Sequence, residues 1–102
     1  MAITSTLCTS FKQELLQGVH NFNKASSPDT FKLALYSSTA SLDASTTAFT
    51  TSGEVTGTNY TSGGATLTLK TGTPTTDGTT AVVDFDPLTF SNVTLTAAGA
   101  LI

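Results

Sequence analysis

The sequence predicts a mainly β fold, an antiparallel β-sandwich or jelly-roll-like module carrying one short N-terminal α-helix. Three observations predict it. Apolar residues recur at helical spacing only near the N-terminus, over residues 10–22. The rest of the chain consists of short alternating runs punctuated by Gly, Pro, Asn and Asp. Ser and Thr make up about a third of all residues, and β-branched Thr favours strands while its hydroxyl keeps a solvent face wet without charge.

The helix comes first. Leu7, Phe11, Leu15, Val19 and Phe22 fall at steps of three and four, with Leu16 beside them. Ser10 and Gln13 fit a capping box, which would start the helix at Ser10, and Thr6 is a competing cap. Gly18 is a C-terminal stop signal, although the apolar pattern continues to Phe22. So short a helix is marginal alone and must pack on something. Phe11, Leu15 and Val19 form the expected packing stripe, received either by the sheet or by a partner. Phe11→Asp or Leu15→Asp is therefore expected to disrupt folding or association.

Residues 23–30 read as a loop turning at Pro28-Asp29. Residues 31–36 alternate cleanly, with Phe31, Leu33 and Leu35 on one face and Lys32, Ala34 and Tyr36 on the other. A polar loop over 37–49 follows, with a short turn around Leu42. Residues 54–60 form a weak strand interrupted by Gly57, and Ser62-Gly63-Gly64 signals a hairpin turn. Residues 65–70 alternate, with Leu67 and Leu69 on one face. Asp77-Gly78 is a type I′ turn candidate. Further strands are expected over 80–85, 88–90 and 93–96. Six or seven short strands at this spacing suggest two layers, with the helix over one end or one open face.

The final residues 97–102 are apolar apart from Gly99 and carry no charge or proline to blunt an edge. Three explanations compete: a central strand, a strand paired with another subunit, or a chain that continues past Ile102. The whole chain, 1–102, reads as one domain, comprising the helix over 10–22 and a β-module over 31–102. That module is either self-contained or completed by further strands or by another subunit.

Composition excludes several function classes. Charged residues are 11% of the chain and the net charge is −3, which lacks the basic footprint nucleic acid requires. No run approaches the length of a membrane span, and the first six residues lack the features of a secretory signal. Cys8 is the only cysteine, so no internal disulfide is available, and synthesis in the cytoplasm is expected. A weakly charged surface repels little and suits a protein destined for an assembly.

No constellation points to catalysis, and no cofactor is expected. His20 is the only histidine, with no base or metal set spaced around it. A Cys8–His20 dyad would lack a third member and a Gly-rich oxyanion loop. Asp84 and Asp86, with Asp77, could be read as a Ca²⁺ site, but a solvated strand end running into Pro87 explains them more simply. Glu14 and Glu54 have no carboxylate near them in sequence. Gly63-Gly64 lacks the Lys and helix of a phosphate loop. Asn59-Tyr60-Thr61 and Asn92-Val93-Thr94 match a glycosylation sequon by chance in so Thr-rich a chain.

The order of segments is distinctive. Ser10-Phe11-Lys12-Gln13-Glu14-Leu15-Leu16-Gln17-Gly18-Val19-His20-Asn21-Phe22 is followed by Thr30-Phe31-Lys32-Leu33-Ala34-Leu35-Tyr36. Then come Gly57-Thr58-Asn59-Tyr60-Thr61-Ser62-Gly63-Gly64, Val83-Asp84-Phe85, Leu88-Thr89-Phe90 and Gly99-Ala100-Leu101-Ile102. Over nearly its whole length the chain resembles a family of small virion proteins of tailed bacteriophages. The resemblance implies a non-enzymatic structural role on the particle. Members of that family run on past the Gly-Ala-Leu-Ile segment into further strands.

The resulting expectation is a capsid decoration, or cement, protein. It would be a homo-oligomer such as a trimer, bound to other virion proteins such as the major capsid protein, without nucleic acid or membrane. Phe11, Leu15, Val19, Phe22, Leu101 and Ile102 are the candidate interaction residues. A tail or head-fibre adaptor is the first alternative. A small carbohydrate-binding β-sandwich module is the second.

Overall fold

The computed structural model describes residues 3–102 and organises them around one strand. In chain order the elements are α1 (Thr9–Leu16), β1 (Phe31–Tyr36), β2 (Ala65–Leu67), β3 (Thr75–Asp77), β4 (Thr80–Val82) and β5 (Gly99–Leu101). The strands form two antiparallel sheets, one of order β2-β1-β5 and the other the hairpin β3-β4. The chain is thus mainly β with one short helix. The strands expected over 88–90 and 93–96 are reduced to a single bridge, Thr58↔Thr94, and Phe85 bridges Leu69 just beyond β4. These short sheets do not by themselves make two stacked layers.

β1, at six residues the longest strand, is central: it is rich in bulky, β-favouring side chains and free of Gly and Pro. Its N-terminal half pairs with β2, Phe31 opposite Leu67 and Leu33 opposite Ala65. Its C-terminal half pairs with β5, Ala34 opposite Leu101 and Tyr36 opposite Gly99. Among the described residues the apolar C-terminal segment is therefore an edge strand laid on its own chain. On the other edge, the Val55 N–H donates to the Leu35 carbonyl at 3.0 Å, and Tyr36 bridges Glu54.

The more buried face of β1 is that of Ala34 and Tyr36. With Ala40 and Leu42 they form the core cluster, and Ile3 and Leu101 pack against it. Tyr36 is fully buried because its hydroxyl donates to the Thr50 carbonyl at 2.6 Å, leaving no unpaired polar atom inside. Burial is also what pushes its phenol above the ordinary value. The opposite face carries an aromatic row: Phe22 stacks on Phe31 at 4.3 Å, and Phe31 meets Phe85 edge-on at 6.1 Å.

Two turns differ from expectation. In the β3-β4 hairpin Asp77 pairs with Thr80, so the two-residue loop is Gly78-Thr79. Gly78 has φ +62° and Thr79 has no positive φ, which is the glycine-first pattern of a type II′ turn rather than type I′. The Ser62-Gly63-Gly64 turn does not join a local hairpin. It delivers β2 to β1, and a Cβ at Gly64 would fall on the Leu33 carbonyl. The sequon residues Asn59 and Asn92 both have positive φ, and the Asn59 amide donates to the Asn92 carbonyl at 3.0 Å, clamping the turns beside the Thr58↔Thr94 bridge.

Candidate interaction surface

Helix α1 starts one residue before Ser10 and stops at Leu16, six residues short of the expected end. Neither expected cap is used. Cys8 occupies the N-cap with no side-chain bond, the Thr9 N–H donates to the Ala44 carbonyl at 2.8 Å, and the Ser10 hydroxyl is spent on the Thr46 carbonyl. The loop around 43–46 thus does the capping work that a capping box would have done.

The C-terminus is a Schellman motif. The Val19 N–H donates to the Glu14 carbonyl at 3.0 Å and the Gly18 N–H to the Leu15 carbonyl at 3.2 Å, with Gly18 at φ +73°. The apolar pattern that continues to Phe22 is accordingly not helical. His20 and Phe22 fold back instead. Phe11 meets His20 at 5.1 Å and Phe22 edge-on at 6.1 Å, and Phe22 carries the contact on to Phe31.

That fold-back splits the expected stripe. Phe11 and Phe22 are half-buried and hold the helix to the sheet through aromatic contacts. Leu15 and Val19 are 42% and 53% exposed, and Leu16 is 92% exposed. No residue of α1 is buried, so Phe11, Leu15 and Val19 do not form one inward stripe. With Leu7 also exposed, α1 and its flanks present outward-facing leucine and valine side chains. At the other end, Leu101 packs on the core cluster while Ile102 is exposed.

Between α1 and the sheet lies an open cavity of about 560 Å³. Phe11, Glu14 and His20 line one side, Phe31 and Lys32 with Leu101 and Ile102 another, and the loop reaching Phe49 a third. His20 Nε2 lies 3.0 Å from Glu14 Oε1, an ion pair when the imidazole is protonated. Cys8 lines the same cavity, but its sulfur is directed to the Asp43 carbonyl at 3.8 Å and His20 is engaged by Glu14. The pair therefore lacks the mutual bond a nucleophilic dyad requires.

A second polar cluster was not visible in the sequence. Glu54 accepts from the Tyr60 hydroxyl at 2.8 Å, the Ser62 hydroxyl at 2.7 Å and the Gly63 N–H at 2.7 Å. Tyr60 in turn accepts the Leu35 N–H at 2.9 Å. Burial pushes the Glu54 carboxyl up, but these three bonds favour the charged form more strongly, and the net displacement is downward. Burial and the Glu54 charge push Tyr60 up. Every member is paired, which is the signature of a clamp rather than a reactive group. The only sequence signal was a Glu and two hydroxyl residues around a Gly pair.

Asp84 and Asp86 sit beside the Leu69↔Phe85 bridge, where their backbones bond Lys70 and Thr68, and Asp84 lies 3.9 Å from Lys70 Nζ. Among the described residues no three His, Cys, Asp or Glu side chains converge as a metal set. No described helix is long and apolar enough to cross a membrane. Comparison with known protein families, curated proteins and solved structures returned no match for this chain.

Proposed function

We propose that this chain is a non-enzymatic structural protein of a tailed-phage virion, a decoration protein that binds the assembled capsid and ties neighbouring subunits together. The observation that carries the reading is the outward-facing apolar surface of α1 and its flanks: Leu7, Leu15, Leu16 and Val19. A chain with 11% charged residues and a net charge of −3 adds little repulsion to such a surface. The sequence resemblance to small virion proteins supports the same assignment.

Several copies arranged as a symmetric oligomer would engage the capsid lattice at several points. Each later contact is then intramolecular, so weak single contacts give firm attachment. A tail or head-fibre adaptor would use the same surface at another address. Mass spectrometry of purified virions from the genome that encodes this chain separates them. A copy number on the scale of the capsid subunits is expected, whereas a few copies per particle would move the protein to the tail or a vertex. Its absence from virions would overturn the structural reading.

A further inference from the structure

We infer that the outer edge of β4 pairs with the same edge of a second copy of this chain, antiparallel about a two-fold axis at Ala81. Backbone directions define that edge. In the β3-β4 hairpin Asp77 and Thr80 flank a two-residue loop, so they are the hydrogen-bonded pair, and Thr76 and Ala81 are the non-hydrogen-bonded one. The N–H and carbonyl of Ala81 therefore point away from β3. Bonds beyond β4 keep the same parity. The Lys70 N–H donates to the Asp84 carbonyl at 2.9 Å and the Asp86 N–H to the Thr68 carbonyl at 2.8 Å, so even-numbered residues face the inner side. Val83 and Phe85, like Ala81, face outward. The Phe85 N–H is already taken, at 2.8 Å, by the carboxylate of Asp84. Among the described residues, β3 is the only strand beside β4, and residues 79–83 make no bridge to any other part of the chain.

The open edge is thus bounded at both ends, by the Gly78-Thr79 turn and by the Asp84 carboxylate on Phe85. Between them runs Thr79-Thr80-Ala81-Val82-Val83, centred on its smallest residue. Exposed edges are commonly blunted by charge or proline, and this stretch has neither. The outer edge of β3 is guarded instead: Pro74 offers no N–H just before it, and Asp77 carries charge at its end. Self-pairing is what the β4 edge fits. With Ala81 opposite its counterpart in the second copy, the two exchange both backbone bonds, Thr80 faces Val82 and Thr79 faces Val83. Every cross-strand pair is then neutral, and each Thr–Val pair is β-branched on both sides, which favours sheet pairing. Asp84 falls opposite Gly78, so no carboxylates meet across the axis. Val83, 41% exposed in the single chain, gains a cross-strand neighbour. The two ribbons become one four-stranded sheet, more stable than either alone. The contact involves no residue of α1, so it does not rest on the capsid reading, and its test uses no virus particle.

Sedimentation equilibrium of the full chain from about 10 μM to about 1 mM should show a monomer–dimer equilibrium, because so short an edge gives a weak contact. Ala81→Lys sets like charges directly opposite each other on the axis and should weaken dimerisation about fivefold or more, and Ala81→Glu should do the same. An equimolar mixture of the two variants should associate at least as tightly as the wild type, because the facing charges are then opposite. Ala81 is exposed in the single chain, so circular dichroism should show both variants folded. If either is unfolded, exchange of the wild-type Ala81 and Val83 amides decides. Protection that rises with protein concentration supports the pairing, and exchange independent of concentration overturns it. A monomer over the whole range, a trimer, variants that dimerise like the wild type, or a mixture no tighter than either variant alone would overturn it. So would dimerisation lost in Leu15→Asp but kept in Ala81→Lys, which would place the contact on α1.

Discussion

Glu54 shows how much of this fold is secured by single side chains. Its carboxylate bonds two hydroxyls and one backbone N–H, and through Tyr60 it reaches the Leu35 backbone of the central strand. Its folded pKa lies below the ordinary 4.5. The stability it contributes is therefore fully present above that value and is lost as pH falls through the folded one. Asp43, lowered by its bonds to Ser45, acts in the same direction. Urea unfolding followed from neutral to acid pH should show the wild type losing stability below about pH 4.5, while Glu54→Gln is less stable at neutral pH and loses less on acidification. Parallel pH profiles for the two would contradict the clamp. Glycines supply a second prediction at this scale. Gly18→Ala meets open space at φ +73° and should cost about 1 kcal/mol. Gly64→Ala combines φ +79° with a Cβ placed on the Leu33 carbonyl and should cost well over ~2 kcal/mol, read from denaturant midpoints. Neither the Glu54 clamp nor the difference between these glycines was legible in the sequence, because both depend on which distant backbone comes close.

At the level of elements, legibility followed local strength. β1 was readable because Phe31, Leu33 and Leu35 alternate with Lys32, Ala34 and Tyr36 over six residues free of Gly and Pro. The existence of α1 was readable from its apolar spacing, but its end was not. The apolar residues past Gly18 continue the helical spacing by coincidence, and the Schellman bonds at Gly18 and Val19 override them. The strands expected over 88–90 and 93–96 had alternation but no long partner, and only single bridges survive nearby. The split of the expected stripe separates two variants expected to act alike. Phe11→Asp puts a charge into the aromatic contacts with His20 and Phe22 and should cost at least ~2 kcal/mol of folding stability. Leu15→Asp alters an exposed position and should change the melting stability by no more than about 1 kcal/mol, while weakening association. Thermal unfolding and sedimentation of both variants check this. Equal loss of stability in the two would mean that Leu15 is packed inward.

On the scale of the whole molecule, the interior is small and the outer surface is unusually open. The core cluster holds Ala34, Tyr36, Ala40 and Leu42, with Ile3 and Leu101 against it, while large apolar residues remain outside on α1 and its flanks and at Phe49, Val83 and Ile102. The mainly β class was legible from composition and turn spacing. The interaction surface was legible only in part: of the six residues singled out, Phe11, Phe22 and Leu101 serve the chain's own packing, and Leu15, Val19 and Ile102 face outward. Sequence periodicity marks a stripe as apolar, but cannot say which members a fold-back such as that of Phe22 will take inward. An element with Leu16 almost fully exposed is costly to leave in water, and the proposed attachment to a capsid lattice would give that surface a partner. The most direct measurement is a reconstruction of the virion made from the genome that encodes this chain. Density for the chain is expected on the outer capsid surface, repeated with the lattice, with α1 turned toward the shell. Density confined to the tail, no density on the particle, or α1 turned outward to solvent would contradict it.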